Sequence, residues 1–211
     1  MEPTTLFIAY GPDSRTDDFI RAAKDRVRKA VGDRLYLSDP PHATVYLAAF
    51  DDPAGVVETI GDIFCTAPAI PGEFEGWHVF ENDPLTGGNT PTCRIDSRCR
   101  DRLRSIQPTI VDNLYLQRNP EASEARYRTH WEKLTTLRRQ TVREIGFPYF
   151  REDWIPHFSI ASIGPEAWDD GWAVLKETPP LGPFSCDWLR IYRLDGIEPV
   201  LFHEIRLQTG P

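Results

Sequence analysis

Two short segments of the chain place a histidine two residues before a hydroxyl: Pro41-His42-Ala43-Thr44 and Pro156-His157-Phe158-Ser159. Side chains alternate along an extended strand, so His42 points with Thr44 and His157 with Ser159, while Val45 and Phe158 face the other way. Two such strands side by side would floor a cleft with two imidazoles and two hydroxyls. That set suits cleavage of a phosphodiester without a metal. One imidazole takes the proton of the attacking oxygen and the other protonates the leaving oxygen. Because imidazole titrates near neutral pH, the surroundings can keep one ring neutral and the other protonated. Thr44 and Ser159 would hold the non-bridging oxygens as charge builds on them. Which histidine is base and which is acid is not legible from the order of residues.

Alone, such tetrapeptides arise by chance, and each histidine could simply cap the start of a strand. The surrounding pattern argues for a pair. Residues 5–10 form a short apolar run closed by Gly11-Pro12 and read as a buried strand. Residues 14–31 then show apolar positions at helical spacing, ended by Gly32. After a short apolar run at 35–37 and a turn, the first motif opens a strand, and a helix follows over about 53–64. Strands are expected at 73–80 and 92–96, flanking the turn-rich stretch 82–89. Residues 98–116 read as a helix broken or kinked at Pro108, and 121–145 as one longer amphipathic stretch ending at Gly146. The second motif is expected to open a strand over 154–161, then a helix over 165–176 and strands at 184–194 and 200–207. Each half thus runs strand, helix, Pro-His-x-Thr/Ser strand, helix, and then a Gly-x-Phe segment with a Trp close behind. Those segments are Gly72-Glu-Phe74 with Trp77 and Gly182-Pro-Phe184 with Trp188. An internal duplication is the simplest reading. It predicts one bilobal domain over residues 1–211, with approximate repeat halves 1–91 and 92–211.

Bulk properties narrow the classes. The 211 residues suffice for one good-sized core or two small lobes, and 19 prolines and 14 glycines are scattered as turn punctuation. A net charge of −8 argues against sheathing duplex DNA, yet leaves room for a local pocket that takes a small phosphorylated ligand. Four irregularly spaced cysteines fit neither a disulfide framework nor a Cys-x-x-Cys metal site, and no apolar run approaches the roughly 18 residues of a membrane span. The chain reads as cytoplasmic, with no membrane partner.

The paired segments His42-Ala-Thr44-Val45 and His157-Phe-Ser159-Ile160, within a duplicated layout spanning nearly the whole chain, resemble the signature of the two-histidine (2H) phosphoesterase superfamily. That group includes bacterial RNA 2′-5′ ligase-like proteins and 2′,3′-cyclic nucleotide phosphodiesterases. The resemblance implies an α+β fold of two similar lobes, each an antiparallel sheet with helices outside, around a central cleft. It implies His42 and His157 as the catalytic pair, Thr44 and Ser159 as phosphate-binding residues, and neither metal nor cofactor. The implied substrate is a 2′,3′-cyclic or 2′-5′ phosphodiester at a nucleotide or RNA end, taken up by a monomer. The stretch from Arg138-Arg-Gln140 through Gly146-Phe-Pro-Tyr149 is similar, more loosely, to proteins associated with phosphonate metabolism, which leaves the substrate open.

Tyr10, Arg94, Tyr149 and Trp154 are further candidates to contact substrate, since aromatics stack on bases and arginine pairs with phosphate. The competing reading puts the aromatics in the core and Arg94 on a solvated strand face. His78, His130 and His203 lack a hydroxyl partner and are assigned no role. The cluster from Arg98 to Arg104 is a solvated helix face or, alternatively, a phosphate-steering patch. Two other functions compete with the leading one. A nucleotide-binding module would keep the cleft without turnover, and a phosphodiesterase of a specialised metabolite or cyclic oligonucleotide signal would keep the mechanism in a different pocket.

Overall fold

A computed structural model of the chain describes residues 2–208. Strand β1 (Thr4–Pro12) leads into helix α1 (Ser14–Val31), capped by Asp13, whose carboxylate accepts from the Thr16 backbone N–H at 2.9 Å. Then come β2 (Ala43–Phe50), α2 (Pro53–Phe64) and β3 (Ile70–Phe80). The second half repeats that order with β4 (Thr90–Ile95), α3 (Ser97–Leu114), α4 (Pro120–Ala125), α5 (Thr136–Ile145), β5 (Phe158–Ser159), α6 (Trp168–Lys176) and β6 (Leu181–Asp195). Strand β7 (Glu198–Arg206) closes the chain's regular structure.

The strands pair in the order β2-β1-β6-β3-β4-β5, with β7 added to β6. Every named strand pairing is antiparallel. The third strand of each repeat therefore joins the other repeat's pair: β6 lies beside β1, and β3 beside β4. The two half-sheets, β2-β1-β6 and β3-β4-β5, meet where β3 pairs with β6. There Gly72 stands opposite Phe184, and Phe74 opposite Gly182. The two Gly-x-Phe segments are thus partners across a local two-fold, with the rings of Phe74 and Phe184 stacked 4.2 Å apart. Glycine is required at position 72, since a Cβ there would fall 2.7 Å from the Phe184 ring. The 91/92 division of the sequence falls inside β4, and each half-sheet draws on both sides of it.

One face of the sheet packs on the helices in a continuous core that includes Leu6, Ile8, Val45, Leu189 and Ile191 of the first half-sheet and Phe74, Cys93, Phe158 and Phe184 of the second. Helix α3 runs unbroken through Pro108, where the sequence pattern predicts a break or kink. The stretch 121–145 is not one helix but α4, a short 3₁₀ turn and α5, because Leu134 is extended and Thr135 caps α5 through its hydroxyl. Residues 35–37 contribute only an isolated bridge at Leu35. Strand β5 is two residues long rather than eight, since the chain before it turns into a loop bonded to other elements.

That loop joins the two ends of the sheet. Ala9 pairs with Thr44 and Ile8 with Tyr46, so Val45 is an unpaired bulge residue on the edge strand β2. Its carbonyl accepts from Gln107 Nε2 at 3.0 Å. Gln107, wholly buried on α3, also donates to the Tyr149 carbonyl at 3.0 Å and accepts from the Arg151 N–H at 2.9 Å. The indole of Trp154 donates to the Thr44 carbonyl at 3.1 Å, and Ser162 N–H donates to the Leu35 carbonyl at 3.0 Å. The β2 and β5 ends of the strand order are thereby drawn together. Replacing Gln107 with Leu strands one buried and two partly buried backbone groups, and urea unfolding should report a loss of about 1–3 kcal/mol. A change under about 0.5 kcal/mol would show that these bonds do not hold the edges.

Candidate active site

Each motif histidine stands immediately before its strand and is held in the same way. His42 Nδ1 lies 2.8 Å from the Pro40 carbonyl, and His157 Nδ1 lies 2.6 Å from the Ile155 carbonyl. A carbonyl only accepts, so Nδ1 carries the proton in both rings and Nε2 is left with its lone pair. The loop before each ring is fixed in turn. Buried Lys24 on α1 donates to the carbonyls of Tyr36 (2.5 Å) and Asp39 (2.8 Å), which lie just ahead of His42. On the other side Arg104 of α3 donates to the carbonyls of Trp154 (2.8 Å) and Glu152 (3.0 Å), ahead of His157. Arg138 grips Asp153 with two bonds of 2.7 and 3.0 Å.

The strand register extends the likeness. Thr44 stands opposite Ala9, which stands opposite Arg190; Ser159 stands opposite Thr92, which stands opposite His78. Directly opposed residues share a face, so each half-sheet carries a row running from motif hydroxyl to a basic side chain on its third strand. Ala43, Val45 and Phe158 are buried in the core, whereas His42, Thr44, His157 and Ser159 are all half-buried, as the alternation predicts. The imidazoles rest on aromatics at equivalent places. His42 lies 5.0 Å from Phe7 and 5.8 Å from Tyr192, and His157 lies 4.8 Å from Phe80.

The electrostatics of the two rings differ. Burial is the largest influence on His42 and pushes its pKa down to about 4; the Pro40 carbonyl opposes this, while the charges of Lys24, His157 and Arg190 reinforce it. His157 is also lowered, chiefly by burial and in smaller part by His78, but the Ile155 carbonyl and the Asp83 carboxylate pull the other way. Cationic groups thus add to the lowering of one ring, and a carboxylate opposes it at the other.

The remaining sequence candidates divide. Tyr10 is not a ligand contact: it is 1% exposed and packs in the core, because its place on β1 puts it in step with Leu6 and Ile8, on the face opposite Ala9. Trp154 is likewise buried, 3% exposed, with its N–H committed to Thr44, so it positions the motif strands and offers no stacking face. Tyr149 is half-buried under the Arg138 guanidinium, 4.8 Å from its ring centre, and burial pushes its phenol up to about 12. Arg94 is exposed, 3.4 Å from Glu75, and lines a cavity that also reaches His157.

Residues that sequence reasoning passed over are Arg190, His78, Thr92, Asp83 and Gln107. Arg190 reaches Glu204 at 3.2 Å and lies across Gly11, where a Cβ would come within 2.9 Å of its guanidinium. Only the cross-strand register could have linked Arg190 or His78 to the motifs, and nothing local in the sequence encodes it. Among the described residues no group of three or more His, Cys, Asp or Glu side chains is placed to hold a metal ion.

Comparison with known proteins agrees with this geometry. The fold is that of protein TT0787 of Thermus thermophilus, at 14% identity and a TM-score of 0.56 over 97% of this chain and 98% of that one. It is also that of E. coli LigT, whose structure with 3′-AMP superposes with a TM-score of 0.55 at 12% identity, over 99% of this chain and 100% of LigT. A LigT structure with phosphate gives 0.51 over the same shares, also at 12% identity. Among proteins with curated descriptions, none matches. A family model described as the 2′-5′ RNA ligase superfamily matches residues 12–198. With that match covering most of its length, the chain belongs to the 2′-5′ RNA ligase superfamily, the phosphoesterase group that its paired motifs resemble.

Proposed function

We propose that the protein is a phosphodiesterase that cleaves a 2′,3′-cyclic or 2′-5′ phosphodiester of a nucleotide or RNA end, using His42 and His157 as its proton-transfer pair. The observation that supports this most is the matched anchoring of the two rings: each Nδ1 bonded to the carbonyl two residues back, each Nε2 without a hydrogen bond among the described residues, each hydroxyl two residues on. Membership of a phosphoesterase family and the fold shared with a LigT structure holding 3′-AMP support it further.

In hydrolysis of a cyclic phosphate, one Nε2 lone pair removes a proton from water as the water oxygen bonds phosphorus. The other ring, protonated at Nε2, gives that proton to the departing ribose oxygen as its bond to phosphorus breaks. Thr44 and Ser159 donate to the non-bridging oxygens. The difference in surroundings supports one division of roles. We take His42, lowered to about 4 by burial with Lys24 and Arg190 adding to the shift, as the base, and His157, whose lowering by burial is opposed by the Asp83 carboxylate, as the acid.

A panel of cyclic mononucleotides, 2′-5′ dinucleotides and cyclic oligonucleotides should reveal cleavage that survives EDTA. His42→Ala and His157→Ala should each lower kcat by about 10²–10⁴-fold. Full activity in both variants would rule the pair out, and tight binding with no turnover by the parent would make this a binding module.

The role assignment has its own signature. The profile of kcat/KM against pH should rise as His42 loses its proton near pH 4 and fall as His157 loses its proton below the ordinary 6.5. Asp83→Asn removes a carboxylate that raises His157 and should move only the falling limb, toward lower pH. A shift of the rising limb instead would reverse the roles.

A further inference from the structure

A cavity of about 330 Å³ opens beside His157, and its walls include His78, Thr92, Arg94, Arg100 and Arg104. Three guanidiniums and two imidazoles thus converge on one space in a chain whose net charge is −8. The Asp83 carboxylate acts on His157, but little neutralises the guanidiniums. Glu75 approaches Arg94 at 3.4 Å, with both side chains about half exposed. Arg104 spends its donors on the carbonyls of Trp154 and Glu152, which carry no net charge. Arg100 makes no ion pair among the described residues, and its Nε is buried without a hydrogen-bond partner. A buried, unpaired guanidinium donor is costly and calls for an anionic acceptor, for which phosphate oxygens are the natural match.

The spacing of Arg98-Cys-Arg100-Asp-Arg102-Leu-Arg104 explains why only part of this cluster takes part. Positions 100 and 104 are one helical turn apart on α3 and share a face, while 98 and 102 belong to the neighbouring one. The cavity is continuous with the site, because His157 forms part of its wall. A group bound there would adjoin His157, and so the phosphate on which that ring is proposed to act.

We infer that this cavity is a second anion subsite that holds the neighbouring phosphate of an oligoribonucleotide, so that the preferred substrate is an RNA end and not a mononucleotide. The inference rests on the proposed phosphodiesterase reading for the placement of the first phosphate, but the anion site stands on its own residues.

Two measurements test it. The first compares kcat/KM for adenosine 2′,3′-cyclic phosphate and for a triadenylate ending in a 2′,3′-cyclic phosphate. The wild type should favour the trinucleotide about tenfold or more, and Arg100→Ala should reduce that ratio toward one, as loss of a charge-assisted contact would. Arg94→Gln, at an exposed position where folding is not at stake, should reduce the ratio in the same direction. The second measures binding of a fluorescent 5′-phosphorylated triadenylate, which needs no turnover, and Arg100→Ala should weaken it about tenfold. Equal use of both substrates by the wild type, or a ratio unchanged by both substitutions, would overturn the subsite while leaving the phosphodiesterase reading intact. Absence of all turnover, with binding that still depends on Arg100, would do the reverse. Binding indifferent to Arg100 and Arg94 would also overturn the subsite.

Discussion

The hydrogen bond from the Trp154 indole to the Thr44 carbonyl ties the loop ahead of β5 to β2, the two ends of the strand order. Strands β2 and β5 stand at opposite ends of the pairing order, so no ladder of backbone bonds brings the two motifs together. What does so is a loop tied to an edge strand at a bulge, where an unpaired carbonyl would otherwise be buried and unsatisfied. Gln107 answers Val45, Tyr149 and Arg151, Trp154 answers Thr44, and Arg104 holds the Trp154 carbonyl from behind. The same contacts cover the free edge of β2, which would otherwise be open to pairing with other chains.

On that frame, duplication supplies geometry and neighbouring charges supply chemistry. Two copies of one arrangement give two rings with the same tautomer and free nitrogen. Identical rings in identical surroundings would share one proton affinity, which is of little use to a reaction that needs a donor and an acceptor at once. The copies differ where it matters. Arg190 occupies the place in one row that His78 takes in the other, Lys24 anchors the approach to His42, and the Asp83 carboxylate raises His157. The pair is symmetric in position and asymmetric in charge.

Much of this was legible in the residues. The alternation of His42 with Thr44 and of His157 with Ser159 foretold their common face, and the Gly-x-Phe echo marked segments that turn out to pair with each other. The helices over 14–31 and 53–64 follow directly from apolar spacing and capping. What was not legible depends on contacts between distant parts of the chain. Tyr10 reads as a strand-end aromatic, and only the packing of β1 turns it inward. Trp154 reads as a stacking platform until its N–H is seen to be committed elsewhere. The stretch 121–145 has helical spacing throughout, yet Thr135 starts a new helix within it. Arg190 and His78 sit in ordinary strand sequence, and their relation to the motifs exists only in the register.

The two rings are anchored alike and are influenced by different charges. A ¹⁵N-edited NMR titration of the histidine side chains reads both properties in one experiment. Both neutral rings should show the Nδ1–H tautomer, with His42 titrating near 4 and His157 below the ordinary 6.5. An Nε2–H tautomer in either ring, or a His42 that titrates at or above 6.5, would contradict this.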